Sequence, residues 1–295
     1  AGGRGEAAPA RRGLIVGDAV DAAVTAITAA GCATPRLDAE VLVSDALRAG
    51  RSLLHASPDW AITGEQARVI GERVRRRVAR EPVAYILGRK GFRRIELAVD
   101  SRALIPRPET ELLVEVALEL EPRSVLDVGT GSGAVALAVA DELRDAEVVA
   151  TDTSPAALEL ARANSERLGL ADRVRTEGGT WPAGPTIRRW DLVLANLPYV
   201  TQAEWVTLAP EIAEYEPRAA LVAGPTGLEA IERLLDDLDT ARAQAEAIAL
   251  EVGAGQATAV ADLVRRAGYE QVEVRCDLAG IDRVVVGRGW RVASG

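Results

Sequence analysis

The sequence predicts an α/β protein in which a small helical domain precedes a doubly wound, mostly parallel sheet. Up to about residue 80 the apolar residues recur at helical spacing, whereas after Pro108 short apolar strands alternate with helices. This alternation is typical of a parallel sheet with helices on its faces. The last two predicted strands, 272–275 and 283–286, are joined by a loop too short for a crossover helix. They must be antiparallel, so the sheet ends in a hairpin.

Length and composition indicate two globular domains. The chain has 295 residues, of which 48% are hydrophobic and 27% charged, and a domain commonly has about 150 residues. No apolar run is long enough to span a bilayer, and residues 1–13 contain no apolar signal segment, so we expect a soluble, cytoplasmic protein that does not contact membrane. The net charge of −9 argues against direct binding of nucleic acid.

The helical region is expected to contain three helices. Asp18 is placed to cap a first helix that Gly31 ends, the second spans 38–47, and Thr63 caps the third. The predicted division of the chain is a disordered tail over 1–13, a helical domain over 14–88, a β-hairpin linker over 89–105 and an α/β domain over 106–295.

In the α/β domain the elements follow from apolar runs and from their capping residues. Ser154 caps a helix whose first residue is Pro155, and the strands are short runs rich in Val, Leu and Ala. The predicted helices span 109–120, 134–143, 155–168, 227–238 and 256–266. The predicted strands before the final hairpin span 124–128, 148–151, 173–176, 191–195 and 247–252.

Cysteine and histidine content excludes several kinds of site. Cys32 and Cys276 are far apart and lack CxxC spacing, which argues against a disulfide framework and a zinc site. We expect both to be buried thiols. His55 is the only histidine and is interpreted as structural, so we expect no metal site.

A glycine-rich turn follows the first strand of the α/β domain. The run Val-Leu-Asp-Val is followed by Gly129, Thr130, Gly131, Ser132 and Gly133, and then by a helix. Glycine permits the tight turn and lets a ligand approach the backbone. The turn alone does not separate a nicotinamide dinucleotide from S-adenosylmethionine, but its third glycine favours the latter.

Two further candidates follow later strands. Asp152 ends the second strand, where an acidic side chain binds ribose hydroxyls in this topology. Asn196, Leu197, Pro198 and Tyr199 follow the fourth strand. In Rossmann-like methyltransferases such a tetrad binds a planar nitrogen nucleophile, either a base amine or a side-chain amide. The Asn carbonyl and the next backbone carbonyl accept its two N–H groups, and the aromatic ring packs on its face.

Roughly residues 15 to 288 resemble the release-factor glutamine methyltransferases. The similar segments are Pro-Arg-Leu-Asp-Ala-Glu from residue 35, Glu-Pro-Val-Ala-Tyr-Ile-Leu-Gly from 81, Ile-Pro-Arg-Pro-Glu-Thr-Glu from 105, Glu-Pro-Arg-Ala-Ala-Leu from 216 and Gly-Ile-Asp-Arg-Val from 280, besides the glycine turn and the Asn196 tetrad. The resemblance implies a Rossmann-like class I methyltransferase sheet that uses S-adenosylmethionine.

The same resemblance implies a substrate and several site residues. The substrate would be the glutamine in the Gly-Gly-Gln loop of bacterial peptide-chain release factors, with the helical domain docking the factor. Cofactor would contact the turn from Gly129 to Gly133, Asp152, Asn196 and Trp181, the last beside the adenine. Asn196 and its three successors would hold the substrate amide.

One position departs from the family pattern and keeps alternatives open. Leu197 stands where the family usually has proline, and Asn-Leu-Pro-Tyr is the form associated with ribosomal RNA adenine dimethyltransferases. The nearest alternative is therefore an rRNA adenine N6-methyltransferase. A catalytically silent binding module of the same fold is another. The preceding helical domain, the Pro-Arg-Pro-Glu-Thr run and the acidic balance favour a protein glutamine substrate.

Overall fold

The computed structural model describes residues 14–181, 188–239 and 243–290. It divides the chain into two compact units, Ala1–Leu87 and Gly88–Gly295. The tail predicted over residues 1–13 lies outside the described residues. Among the described helices, none is both long enough and apolar enough to cross a bilayer.

The first unit is helical, as predicted, although its helices begin earlier than expected. Thr63 forms a capping box with Gln66, which confirms it as the N-cap of the fourth helix. Asp18 is not a cap, because the first helix extends back to the buried Val16 and places Asp18 in its first turn. The helices are α1 (Val16–Ala29), α2 (Pro35–Leu47), α3 (Arg51–Ala56), α4 (Gly64–Val78) and α5 (Val83–Leu87).

Local chemistry explains the remaining differences in this unit. The second helix was predicted from residue 38, but it begins at Pro35, whose fixed φ suits the first helical position. Asp38 is thus inside α2 and forms a buried ion pair with Arg77 of α4, at 2.7 Å. The helices α3 and α5 were missed because they have only 6 and 5 residues, too few for apolar periodicity to show.

The second unit begins with the hairpin that the sequence predicts between the domains. Its strands are β1 (Arg89–Phe92) and β2 (Ile95–Ala98). The contacts of the chain place this hairpin in the second unit. Phe92 and Leu97 are buried, which is the physical reason that the hairpin is part of a core and not only a connection.

The rest of the second unit alternates strands and helices. In chain order these are α6 (Glu111–Leu120), β3 (Ser124–Val128), α7 (Ala134–Glu142), β4 (Glu147–Asp152), α8 (Pro155–Arg167), β5 (Val174–Gly178), β6 (Arg188–Ala195), β7 (Val200–Thr201), α9 (Gln202–Trp205), α10 (Pro210–Ala213), β8 (Val222–Gly224), α11 (Glu229–Asp239), β9 (Ala243–Glu251), α12 (Ala257–Arg266), β10 (Tyr269–Cys276) and β11 (Asp282–Trp290). The elements from β7 to β8 were not predicted, since each is at most 4 residues long.

The main sheet confirms the predicted fold class. Its described strands lie in the order β10-β11-β9-β6-β3-β4-β5. Strands β9, β6, β3, β4 and β5 are parallel, while β11 runs antiparallel to both β9 and β10. The central strands are buried on both faces, and Trp190 of β6 lies fully inside the core. The fold is therefore the mostly parallel methyltransferase sheet with a C-terminal hairpin.

The expectation of two buried thiols is wrong for one cysteine. Cys32 is buried in the helical unit, but Cys276 is exposed. Cys276 ends β10, one of the two edge strands in the described sheet, and most residues of β10 are partly or fully exposed. Its Sγ atom lies 3.2 Å from Oδ1 of Asp282. An edge strand has no further strand to cover it, so its terminal residue remains in contact with solvent.

The order of the strands determines where a ligand can bind. The chain passes from β3 through β4 to β5 on one side, then returns to the other side of β3 as β6. Such a reversal leaves a crevice at the carboxyl ends of the strands on either side of it. The site is therefore expected at this edge of the sheet.

We predict that Gly287→Ala destabilises the protein by roughly 1–3 kcal/mol, the usual cost of overpacking a core. A Cβ at Gly287 in β11 would lie 2.5 Å from Cγ1 of Val264 and 2.9 Å from Cγ of Tyr269. Gly91→Ala in β1 is the matched control, because a Cβ there meets nothing within 4 Å. Thermal unfolding of the full chain measures both variants. Equal midpoints for the two would contradict the packing argument.

Candidate active site

Four parallel strands bring the candidate residues to one edge in matched register. Val128 of β3 pairs with Thr151 of β4 and with Ala195 of β6. Ala195 pairs in turn with Leu250 of β9. The next residues along the four strands are Gly129, Asp152, Asn196 and Glu251. Since paired residues lie side by side, these four successors come together at the carboxyl edge of the sheet.

The turn after β3 has a backbone that requires glycine. Gly129, Gly131 and Gly133 have φ values of +74°, +58° and +85°. These values lie in the left-handed region, where other residues are strained. At Gly133 a Cβ would also lie 2.8 Å from Cδ1 of Leu137 in α7. The three glycines that the sequence singles out are thus needed by the turn itself.

Hydrogen bonds to buried groups hold this turn in place. The backbone N–H groups of Gly129 and Thr130 both donate to the carbonyl of Thr151, at 2.9 Å. The Thr130 hydroxyl donates to the buried Asp127 carboxylate at 2.6 Å, and the N–H of Ala136 donates to the same oxygen at 3.2 Å. Burial raises the pKa of Asp127 to about 6. Thr130 therefore uses its side chain to support the turn.

Asn164 of α8 fastens the last part of the turn to the hairpin. Its amide nitrogen donates to the carbonyl oxygens of Ser132 and Ala98, at 2.9 and 3.0 Å. Its oxygen accepts the N–H of Ala98 at 2.7 Å. Asn164 is fully buried, and a buried amide with all these partners holds its neighbours firmly. The β1–β2 hairpin thus helps to hold the turn, through its hydrogen bonds with Asn164.

Asp152 lies at the end of β4, as the sequence predicts, and faces the turn. One carboxylate oxygen accepts the N–H of Gly131 at 2.9 Å, and the other accepts the N–H of Ser154 at 2.8 Å. An ionised carboxylate has about four acceptor positions, so further hydroxyl groups can bind to it. Asp152 can therefore both shape the turn and bind a polyhydroxy ligand.

A cavity of about 410 Å³ occupies this edge of the sheet. The predicted site residues that line it are Gly129, Thr130, Gly131, Ser132, Asp152, Asn196, Leu197 and Pro198. Thr110 also lines it, a residue for which the sequence alone indicates no role at the site. Glycine backbone, the Asp152 carboxylate and the Asn196 amide at a single cavity are the groups that a nucleoside ligand needs.

Trp181 and Tyr199 are not among the residues that line this cavity in the described part of the chain. The indole N–H of Trp181 donates to Asp237 at 2.9 Å, and Asp237 does line the cavity. The Tyr199 side chain is partly buried, and burial raises the pKa of its hydroxyl to about 12. The predicted contacts of Trp181 with adenine and of Tyr199 with the substrate remain predictions.

Asn196 is held by a residue from a distant segment. Its side-chain nitrogen donates to the Thr110 hydroxyl at 3.1 Å. Thr110 belongs to the Pro-Arg-Pro-Glu-Thr run and precedes α6. Because the nitrogen end of the amide is bound there, the carbonyl oxygen is the end that remains as an acceptor for a ligand.

The residues after Asn196 are positioned by packing and by Gln256. Leu197 Cδ2 lies 3.0 Å from the place that a Cβ on Gly129 would take, so this side chain packs directly on the glycine turn. Gln256 donates from Nε2 to the Tyr199 carbonyl at 2.9 Å. A proline at position 197 would stiffen the backbone. In this chain the segment is held instead by the packing of the Leu197 side chain on the turn.

An ion pair that the sequence does not indicate joins two of the family-like segments. Arg107 lies 2.5 Å from the buried Glu216 carboxylate, whose other oxygen accepts the N–H of Ile105 at 3.1 Å. These contacts connect the run from 105 to the run from 216 beside the cavity. Both runs resemble the family, but nothing in either motif indicates that the two runs contact each other.

Glu251 was also missed. It is the last residue of β9 and is only 2% exposed. Burial raises the pKa of its carboxyl to about 7. A signal was present, since Glu251 ends a predicted strand in the way that Asp152 does, and a buried acid at that edge is a candidate functional residue.

Comparisons with known proteins agree with this geometry. A family described as the PrmC N-terminal domain matches residues 18–88, and a methyltransferase domain family matches 125–215. The human Mettl16 catalytic domain, solved with an RNA hairpin, has a TM-score of 0.56 over 75% of this chain and 83% of its own. At 15% identity, this likeness shows the fold alone.

Three curated relatives are much closer in sequence, and each is named release factor glutamine methyltransferase. The Caulobacter vibrioides protein is 38% identical over 88% of this chain and 91% of its own length. The Bordetella pertussis protein is 41% identical over 85% and 93%, and the Rhodospirillum rubrum protein is 35% identical over 97% and 89%. With its methyltransferase sheet and glycine-lined cavity, this chain is an S-adenosylmethionine-dependent methyltransferase that belongs to the release factor glutamine methyltransferase family.

Proposed function

We propose that the enzyme methylates the side-chain nitrogen of the glutamine in the Gly-Gly-Gln loop of bacterial peptide-chain release factors. The observation that carries this proposal is the Asn196 amide, fixed through its nitrogen to Thr110 at the cavity. Its carbonyl oxygen is then available to a substrate N–H. The names of the relatives support a release factor as the partner, and such a partner implies the cytoplasm.

The donors and acceptors of the cavity fit S-adenosylmethionine. A cofactor can approach the backbone of Gly129 and Gly131 because neither carries a Cβ. Asp152 supplies a carboxylate to ribose hydroxyls, while Thr130 and Ser132 contribute the backbone of the turn. When bound, S-adenosylmethionine supplies an electrophilic methyl group on a sulfonium.

The chain's own contribution to the reaction is positioning. A glutamine nitrogen is a poor nucleophile, because its lone pair is delocalised into the amide. Asn196 Oδ1 and the backbone carbonyl of Leu197 accept its two N–H groups and aim the nitrogen, while Pro198 and Tyr199 shape the segment. The same carbonyls stabilise the positive charge that develops on the nitrogen, so no strong base is required before the proton leaves.

RNA adenine is the alternative acceptor that the Asn-Leu-Pro-Tyr sequence raises. An exocyclic amine is also planar and offers two N–H groups to the same carbonyls. The net charge of −9 disfavours a polyanionic substrate. We therefore propose the protein substrate and treat RNA methylation as an outcome of the assay below.

Asp152→Ala is expected to weaken binding of S-adenosylmethionine by about 1.5 to 3 kcal/mol, the range for hydrogen bonds to a charged group. The loss has two sources, since the carboxylate also supports the turn at Gly131. Isothermal calorimetry measures the dissociation constant. Asp172→Ala, at an exposed site before β5, is the matched control. An unchanged dissociation constant in Asp152→Ala would refute the ribose role.

Asn196→Ala is expected to lower turnover by about 10²-fold, the cost of a misplaced nucleophile. Leu197→Pro is the comparison variant and should keep glutamine methylation, because proline retains the carbonyl that the substrate uses. Both are assayed by mass mapping of an intact release factor and by methyl incorporation into unmethylated small-subunit rRNA. Methylation of RNA adenine without methylation of the glutamine would overturn the proposed function.

The helical unit is proposed to dock the release factor through its exposed apolar side chains. Leu37 and Trp60 are about half exposed in this unit, and such residues commonly mark contact surfaces. Trp60→Ala should raise KM for the intact factor and leave kcat/KM for a short Gly-Gly-Gln peptide unchanged. Val274→Ala on the exposed edge strand β10 is the control. If kcat/KM fell equally for the intact factor and for the peptide, a docking role for Trp60 would be excluded.

A further inference from the structure

The loop between β9 and α12 contacts the last residue of the tetrad that begins at Asn196. Gln256, which ends this loop, donates from Nε2 to the Tyr199 carbonyl at 2.9 Å. Its Oε1 accepts the N–H of Gly253, in the same loop, at 2.9 Å. Gln256 is not among the residues that line the cavity in the described part of the chain. An effect of Gln256 on the reaction would therefore be transmitted through Tyr199.

The two partners of Gln256 fix the orientation of its amide. A backbone N–H can only donate and a carbonyl can only accept, so Nε2 faces Tyr199 and Oε1 faces Gly253. Turning the amide over would place donor against donor and acceptor against acceptor, which leaves both contacts unpaired. Glutamate and methionine have a similar length, but neither offers both a donor and an acceptor at neutral pH. The contact therefore requires glutamine.

Two glycines leave the space that this contact needs. A Cβ on Gly227 would lie 2.5 Å from the Tyr199 carbonyl oxygen and 2.6 Å from Nε2 of Gln256, the two atoms that the hydrogen bond joins. A Cβ on Gly253 would lie 2.9 Å from Oε1 of Gln256 and 3.1 Å from Cδ2 of Tyr199. The Tyr199 ring thus packs on the backbone of Gly253. The loop and the end of the tetrad are therefore in close contact.

The peptide group between Tyr199 and Val200 is held on both sides. Its carbonyl accepts from Gln256, and its N–H, which belongs to Val200, donates to the Leu221 carbonyl at 2.8 Å. A peptide group is planar, so contacts on its two opposite edges restrict the orientation of the whole group. The tetrad therefore ends at a fixed peptide group.

Fixing this end restricts the carbonyl that is proposed to accept the substrate N–H. Asn196 is held at the other end of the tetrad, and only Leu197 and Pro198 lie between the two ends. The proline ring fixes φ of Pro198, and the residue before a proline is biased to extended ψ values. The φ angle of Leu197 and the ψ angle of Pro198 have no such covalent restraint. The direction of the Leu197 carbonyl therefore depends on how firmly the two ends are held.

We propose that Gln256 is a positioning residue, which acts through the Tyr199 carbonyl to hold the Leu197 carbonyl toward the methyl-accepting nitrogen. The inference rests on the proposed role of the tetrad in binding that nitrogen. Gln256 itself touches neither cofactor nor substrate in this account. Because leucine stands at position 197, this chain depends on the contact more than a chain with proline there would.

Gln256→Met tests the contact, because methionine keeps the length of the side chain and has no N–H to donate. We expect kcat to fall about tenfold, on an intact release factor and on a short Gly-Gly-Gln peptide alike, since misplacement of a nucleophile lowers turnover. KM for the factor and the dissociation constant of S-adenosylmethionine, measured by calorimetry, should change by less than about twofold. Gln271→Met, at an exposed position of β10, is the matched control. Natural kcat in Gln256→Met, or cofactor binding that weakens as much as kcat falls, would overturn the proposal.

Gly253→Ala breaks the same contact and leaves Gln256 in place. The added Cβ would displace the end of a flexible side chain, which costs the fold little but separates the Gln256 amide from its partners. We expect the same loss of kcat as in Gln256→Met, and the double variant should lose no more than either single variant. Gly91→Ala, where a Cβ meets nothing within 4 Å, is the control. Natural turnover in Gly253→Ala, or losses that multiply in the double variant, would contradict the proposal.

The residue at position 197 separates positioning from a purely structural role. In a Leu197→Pro parent the proline ring supplies part of the restraint, so adding Gln256→Met should lower kcat by less than about threefold relative to that parent. A structural role predicts the same fall in both parents, because loosening of the β9–α12 loop does not depend on position 197. Equal falls of kcat in the two parents would show that Gln256 does not act on the Leu197 carbonyl.

The result can be distinguished from that of the proposed function. If the natural chain methylates RNA adenine and not glutamine, the proposed function fails. The same kcat comparison on RNA then still decides the role of Gln256, because an exocyclic amine would use the same two carbonyls. A substrate-free measurement checks the contact itself, since the Gly253 amide should exchange its hydrogen faster in Gln256→Met than in the natural chain. Equal exchange rates would refute the proposal.

Discussion

The site depends on one constraint, the register of the parallel strands around β3. Val128 lies beside Thr151 and Ala195, and Ala195 lies beside Leu250, so the next residue on each strand reaches the same edge of the sheet. A shift by one residue would turn every side chain to the opposite face. The buried apolar core therefore sets not only stability but also the relative positions of the glycine turn, the two acids and the amide.

Around this edge, polar groups are held by other parts of the protein before any ligand binds. The glycine turn is supported by Asp127 and Asn164, and the Arg107–Glu216 pair joins the two segments beside the cavity. Groups that are already oriented need not reorganise during the reaction, which is how an electrostatic environment contributes most to catalysis. The burial of several carboxylates near the cavity is consistent with this requirement.

Much of the site was predictable because its signals are local. Three glycines in one turn, an acid at a strand end and the tetrad from Asn196 each lie within a few residues of sequence, and the cavity includes most of them. Trp181 and Tyr199 do not line the cavity in the described part of the chain, and their predicted contacts with cofactor and substrate stay predictions. The residues that contact these two side chains are set by the packing of α11 and of the segment after β6, and no short sequence motif indicates that packing.

The sequence by itself determined the fold class, the order of the longer strands and helices and the glycine turn, because apolar periodicity and the steric demands of glycine act over short stretches. The tertiary structure decided the long-range polar contacts. Asn196 meets Thr110 across 86 positions, and Arg107 meets Glu216 across 109. A hydrogen bond forms only when two groups come within about 3 Å in the right direction, and that geometry exists only after the strands have paired and the core has packed.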